Sequence, residues 1–157
     1  MQYVEGKLGR LFVLRLHDRD HLPDILESFA AEKNVSGALC FFLGGVKDKG
    51  RIVVGPSDGD AVPPNPMVKL LSGVHEVFGI GTIFSDDKGE RKLHMHASLG
   101  RGDNAVTGCI RMGIDIWHIG EVIILEITDA AARREKDEKT GFEFLEIKRT
   151  KGTSNQQ

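Results

Sequence analysis

From Gly9 to Leu16 almost every second residue is apolar on both sides of the chain, with Phe12, Leu14 and Leu16 on one face and Leu11, Val13 and Arg15 on the other. That alternation predicts a first strand largely buried on both faces. The period then changes. Leu22, Ile25, Leu26, Phe29 and Ala30 recur at i, i+3, i+4, i+7 and i+8, one apolar stripe of an amphipathic helix over residues 20–33. Asp20 is suited to cap its start, Pro23 is tolerated in the first turn, and Asn34 can take the left-handed conformation at its end. Residues 35–46 are apolar but interrupted by Gly37, Gly44 and Gly45, which predicts a bent, buried strand, with 51–54 as its hairpin partner. Residues 55–66 hold four of the five prolines and read as a surface loop, suited to a lid or an interface. Further strands are predicted at 67–71, 74–84, 91–99, 105–112, 121–128 and 142–147, separated by turn chemistry such as Asp86-Asp87-Lys88-Gly89. Charged residues 130–139 favour a helix, and 149–157 form a polar tail expected to be disordered. The pattern predicts an α/β domain of the α+β type over residues 1–148, a mainly antiparallel sheet packed with one principal helix.

Composition narrows the class more than the chemistry. The chain has 157 residues, 40% of them hydrophobic, enough for a real core in one domain. Lys and Arg total 21 against 23 Asp and Glu, a net charge of −2 that offers no electrostatic reason for tight binding to phosphate backbones. Apolar runs stay well short of the roughly 20 residues that span a bilayer, and the N-terminus lacks a signal pattern. The two cysteines, Cys40 and Cys109, lie far apart inside apolar or strand-like segments rather than in a disulfide framework. A cytoplasmic location is expected.

The best chemical signal is Leu93-His94-Met95-His96-Ala97-Ser98-Leu99. A strand's two-residue period points both imidazoles to one side, roughly 7 Å apart along the chain, within reach of one metal ion between them. Cys109, in the strand after the Gly100–Asn104 turn region, is the candidate third ligand across a hairpin. Two nitrogens and a thiolate favour zinc over magnesium or calcium. On spacing alone a solvated polar face is an equal reading of the pair, and Cys109 reads as well as a small buried hydrophobe. His118, beside Trp117, reads as a further ligand or as a surface residue, with the surface preferred. Glu76, next to His75, is a candidate proton shuttle or a polar strand-edge residue. His17 and His21 read as solvent-facing or capping. Gly44-Gly45, Gly79-x-Gly81 and Gly100-x-Gly102 lack what a phosphate-binding loop requires, and no Gly-x-Ser-x-Gly, Cys-x-x-Cys or His-Glu-x-x-His motif occurs.

Taken in order, Gly9–Leu16, the helix with Leu26 and Phe29, the strand from Val35 to Leu43, Gly79-x-Gly81, His94-Met95-His96-Ala97-Ser98-Leu99-Gly100 and Glu121-Val122-Ile123-Ile124 resemble the plants-and-prokaryotes conserved (PPC) domain over about residues 5–128. The resemblance implies a homotrimeric α/β fold in a family often labelled as candidate DNA-binding proteins. That label derives from plant relatives in which basic AT-hooks precede the domain, and this chain has no such hook. Several prokaryotic relatives are similar to metal-binding proteins that use His-x-His with a later histidine in a Gly-Gly-His segment. His94 and His96 match the first two, whereas Thr107-Gly108-Cys109 stands where Gly-Gly-His is usual. The cysteine either preserves the site with a softer donor or marks its loss. Residues 113–120 are about two longer than usual, placing Trp117 and His118 in a local insertion. The resulting expectation is a metal-binding, homotrimeric interaction or ligand-binding module associated with DNA through partners. The alternatives are a zinc enzyme with a metal-activated water and a protein that binds DNA directly.

Overall fold

The computed structural model describes residues 1–148, so the expected tail at 149–157 lies outside the described residues. In chain order the elements are β1 (Lys7–Leu16), β2 (His21–Leu22), α1 (Asp24–Glu32), β3 (Gly37–Val46), β4 (Arg51–Pro56), β5 (Pro66–Leu70), β6 (His75–Ser85), β7 (Arg91–Arg101), β8 (Asn104–Cys109), β9 (Ile114–Thr128), β10 (Ala132–Lys136) and β11 (Glu143–Ile147). The main sheet runs β1-β9-β3-β6-β7-β8-β4-β5, with β2 pairing the start of β9, and β10 and β11 form a separate hairpin. The strand pairs are antiparallel, as the sequence predicts. Among the described residues no helix is long and apolar enough to cross a membrane.

Register explains where the core lies. Antiparallel partners share a sheet face, so Phe12, Ile124, Cys40, Gly81 and Met95 line up across five strands. This is the covered face. Helix α1 lies against β7, with Leu22, Leu26 and Ala30 fully buried and Phe29 meeting Phe12 edge to face at 5.3 Å between ring centroids. Glu27 ties the helix to the sheet by accepting the Leu93 N–H at 2.8 Å, and burial pushes its carboxyl up from the ordinary range.

The opposite face carries Leu11, Val13, Phe41, Leu43, Phe78 and Ile80, all exposed. The first strand is therefore covered on one side only. Three other expectations are corrected. The helix begins after Pro23 rather than at Asp20: His21 and Leu22 are extended because they pair with Asp115 and Ile114, and a residue preceding proline is disfavoured in the helical region. Asp20 instead accepts the His17 N–H at 2.8 Å, whereas Asn34 takes the expected left-handed conformation, φ 53°. The segment 51–54 does not pair with β3, whose two edges are taken by β6 and β9; it pairs with β5 and β8. Residues 132–136 form strand β10 despite their helical composition, because pairing with β11 and burial of Arg134 override propensity.

One polar group sits at the edge of the core. The Glu126 carboxylate accepts Arg10 Nε at 2.8 Å, Arg10 Nη2 at 2.6 Å and the Arg10 backbone N–H at 2.9 Å. The guanidinium, and then the backbone N–H, hold its carboxyl down to about 2. A carboxylate with a depressed folded pKa contributes stability above its unfolded value near 4.5 and loses it as pH falls through about 2. The melting temperature of the native chain is therefore expected to fall over that window, and its advantage over a Glu126→Gln variant to shrink with it. Scanning calorimetry across the window checks this, and an advantage that does not change with pH contradicts it.

Candidate metal centre

His94 and His96 occupy alternate positions of β7, so both leave the sheet on the face away from α1 while Leu93, Met95 and Ala97 enter the core. The two Nε2 atoms lie 3.2 Å apart. The hairpin from β7 to β8 sets Cys109 directly opposite His96. The three donor atoms fall within 4.8 Å of one another, with Cys109 only 4% exposed and both histidines open to the surface. Bonds of about 2.0–2.1 Å to nitrogen and 2.3 Å to sulfur place tetrahedral ligand atoms roughly 3.3–3.7 Å apart, so the trio suits a single ion after small side-chain adjustments. Burial first, then the charges of Arg134, His96 and Arg111, push the His94 imidazole below its ordinary value, keeping it in the neutral form that a metal requires.

Glycines make this approach fit. A Cβ on Gly81 would lie 2.6 Å from Met95 Cβ and 2.8 Å from the His94 carbonyl oxygen, and one on Gly108 would lie 2.4 Å from the Val53 carbonyl oxygen. Gly79-x-Gly81 is thus sheet packing, and Gly108 lets β4 close on β8 beside Cys109.

The other candidates lie elsewhere. Glu76 pairs with Gly100, two register steps beyond the Ile80–His96 pair on that face, and it does not line the cavity at the histidines. His118, at φ 56°, is exposed, and its backbone N–H donates to Asp18 at 3.0 Å. His75 Nδ1 contacts the Gly73 carbonyl at 3.0 Å, and His21 Nδ1 lies 2.6 Å from Asp115 Oδ1. None of these joins the trio.

The trio opens on a cavity of about 870 Å³. Its floor is β7 and β8, and its walls are the proline loop after β4 and the β10–β11 hairpin, which contributes Arg134, Lys136, Phe142 and Phe144. These residues escaped the sequence reading because nothing local marks 132–147 as neighbours of His94; the approach of β10 to β6 and the contact of Arg134 with Thr82 are long-range events.

Residues 3–128 match the family model for the Plants and Prokaryotes Conserved (PCC) domain. Among solved structures, a plant- and prokaryote-conserved (PPC) protein of Pyrococcus horikoshii is 21% identical, with a TM-score of 0.80 over 96% of this chain and 100% of its own. A metal-containing protein of Archaeoglobus fulgidus is 25% identical, with a TM-score of 0.77 over 92% of this chain and 99% of its own. A candidate DNA-binding protein of Bacteroides thetaiotaomicron is 17% identical, with a TM-score of 0.73 over 92% of this chain and 99% of its own. No curated protein matches significantly.

Proposed function

Because the chain belongs to the Plants and Prokaryotes Conserved domain family, we propose that it is a homotrimeric module that holds zinc through His94, His96 and Cys109 and binds a small ligand or partner beside it. The observation that carries this reading is the convergence of three donor atoms, from two adjacent strands, within 4.8 Å. Two imidazoles and a thiolate suit zinc better than the hard, oxygen-seeking cations. Similarity to the metal-containing Archaeoglobus protein supports the same reading.

Zinc held by His94, His96 and Cys109 would supply Lewis acidity to a further ligand drawn from the cavity. The open cavity beside the histidines favours access for such a ligand, which keeps a zinc-enzyme reading as the second alternative. Its residues then have simple duties: His94 and His96 fix orientation, and the aromatic hairpin limits water. Association with nucleic acid, on this reading, runs through partners, since the net charge of −2 gives the chain little affinity for a duplex of its own.

The uncovered apolar face supports the trimer. Leu11 and Val13 of β1, Phe41 and Leu43 of β3 and Phe78 and Ile80 of β6 form an exposed apolar surface, an arrangement that a monomer rarely leaves in water and that a symmetric assembly would bury.

The test is the metal content of protein purified without a metal-affinity tag. Near-stoichiometric zinc is the expected result, and a metal-free protein that also fails to take up added zinc overturns the site. Sedimentation at three times the 17.3 kDa chain mass is expected alongside, and a monomer across a wide concentration range overturns the trimer.

A further inference from the structure

We infer that the cavity beside His94 receives a small molecule with an apolar body and one oxyanion head, a carboxylate or a phosphate, and that Arg134 fixes the head.

Arg134 is 6% exposed, an uncommon state for a guanidinium. Its hydrogen-bond partners are neutral: Nη2 donates to the Thr82 hydroxyl at 2.9 Å, and Nη1 reaches the Glu143 carbonyl at 3.5 Å. Nε is buried with no acceptor among the described residues. A buried guanidinium without an anion on its fork is costly, and the group that best satisfies it is a planar or tetrahedral oxyanion taken on two N–H donors. Arg134 also lines the cavity, so such a group can arrive from solvent.

The surroundings agree in charge and shape. Lys92, Arg111 and Lys136 line the same space; the one acid among the described lining residues, Glu143, acts on Arg134 through its charge but places no carboxylate oxygen in a hydrogen bond on the fork. Lys92 is occupied by Glu90 at 2.8 Å, which leaves Arg111 and Lys136 to raise the local potential for an anion. Phe142, Phe144, Leu145, Pro64 and Pro66 supply apolar walls. A bare inorganic ion would leave those walls wet, whereas a compact organic anion covers them while its head meets Arg134. Arg134, Phe142 and Phe144 lie beyond the span 3–128 that the family model matches, so the hairpin adds the head-binding guanidinium and two aromatic walls to a cavity whose floor lies within that span.

This inference deepens the ligand-binding reading of the metal centre, yet the two can fail separately. Titration calorimetry on the full chain, zinc-loaded and again after treatment with a chelator, uses benzoate, phenyl phosphate and benzamide as probes. At least one oxyanion should bind about tenfold or more tightly than neutral benzamide, and Arg134→Met should lower it to the benzamide level with zinc content unchanged. Arg134→Lys, which keeps charge but loses the fork, should recover only part of the affinity. The tighter of benzoate and phenyl phosphate assigns the head. Equal binding of benzamide, no oxyanion binding in either form, or unaltered affinity in Arg134→Met overturns the inference. Should Arg134→Met fail to fold, the oxyanion-to-benzamide comparison on the native chain decides it. Anion binding in a chain that takes no zinc would overturn the metal site alone.

Discussion

His96→Ala is expected to reduce zinc from near-stoichiometric to background while leaving the fold intact, because His96 is exposed and contributes a ligand rather than core volume. Its position makes it the pivot of the trio: its Nε2 is 3.2 Å from that of His94, and its backbone is the direct cross-strand partner of Cys109. Cys109→Ala should weaken affinity by at least about 100-fold, the upper end of what loss of a mere outer-sphere partner costs. Cys109→His should retain binding, since it exchanges thiolate for imidazole at the same register position. Elemental analysis after dialysis, followed by competition with a zinc-chelating dye, checks all three. Acid should release the ion, because protons compete with a metal for its ligand atoms, and His94, whose pKa burial lowers, keeps its share of the affinity to lower pH than an ordinary histidine would. Full zinc in His96→Ala would place the ion elsewhere.

Ile124→Ala should cost about 2–5 kcal/mol of unfolding free energy, the usual range for emptying a tightly enclosed aliphatic site. Ile124 is fully buried in β9, set between Phe12 of β1 and Cys40 of β3 on the face that the helix covers. The neighbouring Ile123→Ala is the control: it lies on the opposite face, between Val13 and Phe41, and should cost much less in the unfolding of an isolated chain. Urea denaturation with a shared slope for native and variant chains measures both. Equal costs at the two positions would contradict the assignment of one covered and one uncovered face.

Much of this was legible because it depends on local periodicity. Leu26, Phe29 and Ala30 mark a helix face by their spacing, and the two-residue alternation of Leu93 to Leu99 puts both histidines on one side whatever lies opposite. Even Cys109 was reachable, since a short turn between β7 and β8 constrains which residues meet. The failures share a different cause. Composition over 130–139 favours a helix, yet strand β10 results because residues 143–147 arrive to pair with it. Residues 51–54 look like the obvious partner of β3, but β6 and β9 compete for the same backbone groups and take them.

Local pattern is enough for the kind of each central strand, the apolar stripe of α1, the shared side of His94 and His96, and a charge balance that disfavours phosphate backbones. Long-range packing leaves bare the part of one sheet face that carries Leu11, Val13, Phe41, Leu43, Phe78 and Ile80, admits β4 beside Cys109 at Gly108, and lays the β10–β11 hairpin with Arg134 over the mouth of the site. The difference is one of range. A strand's period is set by backbone geometry over a few residues, whereas the burial of a guanidinium depends on segments about fifty positions apart, as in the contact between Arg134 and Thr82.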